Sequence, residues 1–194
     1  MKVLGLTGGV GMGKSTAAGF FSQHGTRVVD TDEIARELSR PGQPALAEIQ
    51  AQFGPNILAP DGSLNRAALA HVVFNDPTAL KRLEAILHPR IRNAWQSQVK
   101  SWRQENCAVA IVVIPLLFET LAENQFDKIV CVACSPESQL ERLRLRGWSD
   151  IQIRQRIAAQ MPVDQKVARS HFVVWTEGSL EAHRHQITEI IGKT

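Results

Sequence analysis

Gly8, Gly9, Gly11 and Gly13 fall within six positions, and Lys14, Ser15 and Thr16 follow them at once. Glycines at this density leave no Cβ in the way, so successive backbone N–H groups can turn inward toward an anion. A helix opening at Lys14 would add its unpaired N–H groups and the positive end of its dipole. The stretch Gly8-Gly-Val-Gly-Met-Gly-Lys-Ser15 fits G-x-x-x-x-G-K-[ST], the Walker A pattern. In that pattern Lys14 reaches the β- and γ-phosphates, and the Ser15 hydroxyl is a ligand for Mg²⁺ carried with the nucleotide. The candidate contacts to ATP or GTP are therefore Gly9, Gly11, Met12, Gly13, Lys14, Ser15 and Thr16. The competing explanation is a glycine-rich strand-to-helix turn with no ligand, for which Lys14 and Ser15 would be superfluous.

A triphosphate cradle serves GTPase switches, motor ATPases and small-molecule kinases alike. No Asn-Lys-x-Asp stretch for guanine occurs in the chain, which weighs against a GTPase. A motor would end its third strand on an acidic residue for the metal. Here the apolar run from Ala108 passes into Pro115-Leu-Leu-Phe-Glu119, with the carboxylate several residues late. The segment Val29-Asp30-Thr31-Asp32 instead delivers two carboxylates at the end of a second strand. Phosphoryl transfer to an alcohol needs a group that orients the hydroxyl and takes its proton. Asp32 is the candidate, with Asp30 beside it; the alternative for either is the cap of a helix from Glu33 to Ser39. Arg142 and Arg146, four apart, share one helical face, whereas Arg144 points elsewhere. They read as phosphate-facing residues of a closing segment that excludes water, or else as a solvated face partnered by Glu141 and Asp150.

The elements that must position these groups are legible as alternating strands and helices. Lys2–Thr7, Thr26–Asp30, Ala108–Ile114, Lys128–Ala133 and His171–Trp175 are near-continuous apolar runs, the pattern of parallel strands covered on both faces. A helix is expected from Lys14 to His24. The chain thus predicts a five-stranded parallel α/β sheet of the P-loop NTPase type, with helices on both faces. The core covers about 1–40, 106–134 and 163–194. Residues 41–105 have helical periodicity and read as an insertion, and 135–162 as an arginine-rich helical lid.

Composition narrows the setting. With 194 residues, 44% hydrophobic and 21% charged, the chain can be one globular domain with insertions. A net charge of +3 suits anionic small molecules and is too small to argue for nucleic acid. The expected setting is cytoplasmic, without a membrane partner, as a monomer or small homo-oligomer. Cys131-Val-Ala-Cys134 has redox or zinc half-site spacing, but on a strand residues three apart face opposite ways. These thiols are read as core packing.

Taken together, LTGGVGMGKST, VVDTDEIAR, LNRAALAHVVF, LHPRI and VIPLLFE, in this order and spacing, resemble the dephospho-coenzyme A kinases. The resemblance runs from Val3 to about Leu180. It implies transfer of the ATP γ-phosphoryl group to the ribose 3′-hydroxyl of dephospho-coenzyme A, with Mg²⁺, as the last step of coenzyme A synthesis. By position it makes Asp32 the catalytic base and Lys14 and Ser15 the phosphate and Mg²⁺ residues. Arg36, one helical turn beyond Asp32, stands where it could meet the acceptor's phosphate. His88-Pro89 belongs to the helical insertion that covers the acceptor, unless it simply starts a helix with proline in the first turn. Leu116, Leu117 and Glu119 match the loop bordering the acceptor, and Arg142 and Arg146 match lid arginines; Gln160 and Lys166 fit the family pattern too. Two stretches depart from it. Gly147 follows Arg146 where the family commonly has aspartate, and Trp175-Thr176 stands where it has Asp-Asn beside the adenine site. The other readings of the residues are a shikimate- or gluconate-type kinase and a nucleotide-binding regulator without transferase activity.

Overall fold

A computed structural model describes residues 1–194, apart from the side chains of Phe74 and Asn75. The chain divides into two compact units, residues 1–30 with 101–194, and residues 31–100.

The first unit is built on five parallel strands: β1 (Lys2–Gly8), β2 (Arg27–Asp30), β3 (Val109–Val113), β4 (Lys128–Ala133) and β5 (Phe172–Trp175). All five fall within a residue or two of the apolar runs in the sequence. Their order is β2-β3-β1-β4-β5, so β1 lies at the centre and pairs with both β3 and β4. The crossovers contain α-helices except that from β3 to β4, which is made of turns and a single 3₁₀ turn at Glu123–Gln125. Leu4 and Leu6 of β1 project onto one face, where they pack with Phe20, Phe21, Val130, Val174, Ile187 and Ile190. The covering helices on this side are α1 (Lys14–Gln23) and α9 (Leu180–Gly192). The opposite face is closed partly by Leu117, which sits so near Gly5 that a Cβ there would lie 2.6 Å from its methyl group. Because the strands are parallel, Gly8, Asp30, Val113, Ala133 and Trp175 all end on one sheet edge. This is the edge where ligands bind in open α/β sheets.

The second unit is helical. It contains α2 (Thr31–Leu38), α3 (Pro44–Phe53), α4 (Arg66–Asn75) and most of α5 (Pro77–Gln104). Its own core includes Ala45, Ile49, Ile57, Leu69, Val73 and Ile86. Two local expectations change here. The helix after β2 begins at Thr31 rather than Glu33, so Asp32 lies inside its first turn and is not its cap. Pro89 does not start a helix: it lies within the 28-residue α5. A proline there removes one N–H from the ladder. The next residue, Arg90, ties the helix down there, its Nη1 donating to the Ile86 carbonyl at 2.6 Å and its Nη2 to Glu48 of α3 at 2.6 Å, while the carbonyl that Pro89 leaves without its usual partner is that of Ala85. The helix continues through a residue that usually ends one.

Between β4 and β5 lie α6 (Pro136–Leu145), α7 (Asp150–Ala158) and α8 (Val163–Ala168). Gly147, at φ 79°, turns the chain out of α6, and its N–H donates to the Arg144 carbonyl. That conformation suits glycine. Cys131 and Cys134 are buried. Burial pushes the Cys131 thiol up to about 11 and raises that of Cys134 as well, so both behave as apolar packing groups at neutral pH. Among the described residues no helix is long and apolar enough to cross a membrane.

Candidate active site

The loop after β1 is built for close approach. Gly8 has φ 145°, and a Cβ on it would meet the Val132 carbonyl oxygen at 2.2 Å. Gly13, at φ 93°, precedes α1, and no side chain caps that helix. The contrast within the chain is instructive. Ser135, Ser149 and Ser179 each cap the helix they precede, accepting a hydrogen bond from its first turn. α3 and α8 also start without a side-chain cap; what sets α1 apart is that its first-turn N–H groups directly follow the glycine loop, an arrangement that suits an anion. Lys14 curls back over the loop, its Nζ donating to the Gly8 and Gly9 carbonyls at 2.9 Å each. Ser15 and Thr16 are exposed in the first turn of α1.

The tip of the loop is fastened from outside. The Val10 N–H donates to Gln160 Oε1 at 2.9 Å, and Gln139 Nε2 donates to the Val10 carbonyl at 2.7 Å. Gln160 fits the sequence reading; Gln139, on α6, carried no signal there because its role depends on where α6 lands.

Beside the loop lies a cleft of 330 Å³. Gly11, Gly13 and Thr16 form its loop side, while Arg142, Leu145 and Arg146 come from α6 and the turn after it. Thr176, Leu180 and His183 close it from the end of β5 and from α9. The two arginines read as a pair from their spacing are thus brought together with the loop. Arg144 turns away and pairs with Asp150 at 2.9 Å. Arg142 is itself held, its Nη1 donating to Thr176 Oγ1 at 2.8 Å and its Nη2 to the Thr176 carbonyl at 2.6 Å. Thr176 is buried, and its hydroxyl lies 3.0 Å from the Met12 carbonyl and 3.3 Å from that of Ala133. A residue notable in the sequence only as a departure from the family therefore links loop, sheet and arginine.

Glu119 and Lys166 form a second cluster. Lys166 is wholly buried and meets Glu119 Oε1 at 2.8 Å and the Pro115 carbonyl at 2.8 Å. Glu119 also accepts from the Met161 N–H at 2.8 Å. Leu117 is fully buried and Leu116 half-buried. Leu117 and Glu119 thus fix the segment after β3 from beneath, and Leu116 is the more accessible of the three. The Lys166→Met variant leaves Glu119 without its cation. Breaking a buried pair costs about 3–5 kcal/mol, and the low end applies because Glu119 keeps a fifth of its surface exposed. At about 2–4 °C per kcal/mol for a chain of this size, thermal denaturation should show a Tm lower by roughly 6–12 °C. Adding Glu119→Gln should restore more than half of it.

In the helical unit, Asp32 and Arg36 are both exposed on α2, four residues apart and so on one face. His88 is half-buried in α5.

A family model described as dephospho-CoA kinase matches residues 2–182. The chain belongs to the dephospho-CoA kinase family. This kinase is 44% identical over 174 residues to a dephospho-CoA kinase from Bdellovibrio bacteriovorus, covering 90% of this chain and 87% of that one. Among solved structures it superposes on TT1252 from Thermus thermophilus with a TM-score of 0.86 at 32% identity, over 99% of this chain and 97% of the other. It also superposes on a dephospho-CoA kinase from Campylobacter jejuni, with a TM-score of 0.72 at 26% identity, over 98% and 96%. These neighbours agree with the P-loop α/β architecture built above.

Proposed function

We propose that this kinase transfers the γ-phosphoryl group of ATP to the ribose 3′-hydroxyl of dephospho-coenzyme A, giving coenzyme A and ADP. The observation that carries the reading is a phosphate loop and uncapped helix opening into a cleft edged by Arg142 and Arg146, in a member of this family. The backbone from Gly9 to Thr16 holds the phosphates, and Lys14 stabilises charge on the transferring group. Asp32 orients the acceptor hydroxyl and takes its proton. Arg36 meets the acceptor's phosphate, while Leu116, Leu117, Glu119 and His88 belong to the segments that border the acceptor. Residues 41–105 serve as the acceptor-covering insertion and 135–162 as the lid that excludes water. The chain works in the cytoplasm.

Mg²⁺ fits this donor set. Among the described residues no group of three His, Cys, Asp or Glu side chains is arranged to cage a metal. Ser15, however, stands exposed at the helix start, as a ligand to an ion that arrives with the phosphates would. Bound there, the ion would neutralise charge on the β- and γ-oxygens.

Arg142→Ala should lower kcat/KM about 10- to 100-fold, the effect of losing a charged donor, with the change traceable by steady-state kinetics in ATP. Unchanged kinetics would return Arg142 to a scaffold role. The defining assay offers the purified protein ATP with dephospho-coenzyme A, shikimate, gluconate or nucleosides in turn. Turnover confined to dephospho-coenzyme A, with the product phosphorylated at the 3′ position by NMR, is expected. No turnover with it overturns the proposal.

A further inference from the structure

Most carbonyl oxygens of the glycine loop are already engaged. Lys14 Nζ donates to those of Gly8 and Gly9, the Ala17 N–H donates to that of Gly13, and the Thr176 hydroxyl lies 3.0 Å from that of Met12. The Val10 carbonyl is held by Gln139, whose Nε2 donates to it at 2.7 Å. Gln139 is only 6% exposed and shares a face of α6 with Leu143, one turn further on. Both lie against the loop. A Cβ on Gly9 would meet Gln139 Nε2 at 3.2 Å, and one on Gly11 would meet Leu143 Cγ at 2.8 Å. A carbonyl oxygen can only accept and an N–H can only donate. Gln139 therefore presents its NH2 to the Val10 carbonyl, and Gln160 presents its oxygen to the Val10 N–H.

A trans peptide is planar, with its C=O and N–H pointing opposite ways, and among the described residues none is cis. Val10 belongs to two such planes. In the plane it shares with Gly9, Gln160 holds the N–H while the Gly9 carbonyl on the far side accepts from Lys14. In the plane it shares with Gly11, Gln139 holds the carbonyl, so the Gly11 N–H is turned the opposite way. Gly11 is buried and lines the cleft, and its N–H meets no acceptor among the described residues. A buried N–H without a partner is rare. With glycine on its far side, this plane is free to rotate unless something holds its oxygen. Rotation would bring a carbonyl oxygen, a partial negative charge, to where the donor stood.

We propose that Gln139 is a positioning residue for phosphoryl transfer: it fixes the Val10–Gly11 peptide so that the Gly11 N–H serves the nucleotide's phosphates. This rests on the loop being the ATP phosphate site proposed above. Gln139 acts through the peptide and not on the substrate. It also keeps two parts of the site in register, because the same helix carries Arg142 into the cleft less than a turn beyond it.

The test follows the Gly11 amide itself. Its proton and nitrogen resonances are recorded by NMR in the full wild-type chain and in Q139M, with and without inorganic tripolyphosphate. Calorimetry gives the dissociation constant of tripolyphosphate, and the Tm of each protein is measured alone. Methionine keeps the volume of the glutamine side chain and removes its donor. In the wild type the Gly11 amide proton should move downfield on binding, as it gains a charged acceptor. In Q139M that movement should fall by more than half and the affinity by about tenfold, the scale of one hydrogen bond to a charged group. With ATP and dephospho-coenzyme A, kcat measured well below the Tm of the variant should fall about 10- to 100-fold. A wild-type Gly11 shift or a wild-type kcat in Q139M overturns the inference, even with a lower Tm, because Gln139 then only holds the fold. A Gly11 amide that stays in place while the wild-type chain binds tripolyphosphate also overturns it and leaves the phosphate site standing. Wild-type protein that binds no tripolyphosphate overturns the phosphate site itself. If Q139M does not fold, Q139L makes the same comparison.

Discussion

Asp32→Asn should reduce turnover by about 10²–10⁴, the range for a lost acid–base group, while ATP binds as before. Asn keeps the size and much of the polarity of Asp but cannot accept the proton that the acceptor hydroxyl must lose. Asp32 sits in the first turn of α2, two residues past the sheet edge at Asp30. An acidic group there also stabilises the helix, by roughly 0.3–1 kcal/mol, so a small drop in Tm accompanies the change and does not explain it. Single-turnover phosphorylation and equilibrium ATP binding, measured on the same preparation, separate the two effects. Wild-type turnover in Asp32→Asn would assign Asp32 to helix stability alone, and the base would have to be sought elsewhere.

The second large effect is on folding. Gly8→Ala places a methyl group 2.2 Å from the Val132 carbonyl oxygen, in a backbone conformation of φ 145°. Neither partner has room to give, because Gly8 and Val132 are paired in the central strands. Overpacking and the strained backbone contribute about 1–3 kcal/mol each, together roughly 4 kcal/mol. The expected result is a Tm lower by about 8–16 °C and loss of ATP binding as the loop shifts. Gly19→Ala in α1 is the control, since nothing lies within 4 Å of its added carbon; it should be neutral or slightly stabilising. A Gly8→Ala protein with wild-type stability would show that β1 and β4 can move apart at the loop.

Reading the sequence was most productive where one local rule sufficed. Parallel strands buried on both faces are plain apolar runs, and the loop pattern specifies its own strand–turn–helix context, so the sheet and that strand–loop–helix could be read directly. Local rules failed where a tertiary partner overrode them. Pro89 looked like a boundary because the contacts that hold α5 on either side of it, such as the Arg90 bond to Glu48 of α3, are invisible in one dimension. The start of α2 at Thr31 moved Asp32 from a cap position into a helix. Leu117 and Glu119 stood out as loop residues, yet burial and the Lys166 partner turn them inward. Thr176 and Gln139 acquire their contacts only when β5 and α6 meet the loop, because residues up to 164 positions apart are brought within hydrogen-bond reach.

The fastening of Val10 has a consequence for how the loop counts its donors. Both of the residue's backbone groups are occupied by Gln139 and Gln160, and the Met12 N–H is turned to the Gly9 carbonyl at 3.3 Å. The regular ladder of α1 starts with the Ala17 N–H on the Gly13 carbonyl. The phosphate chain of the proposed ATP site would therefore not draw on the Val10 and Met12 amides, and its backbone donors would come from the loop glycines and the first helical turn. In that proposed site the crest of the loop is a fixed rim, and the ligand's negative charge would lie toward the helix end of the loop.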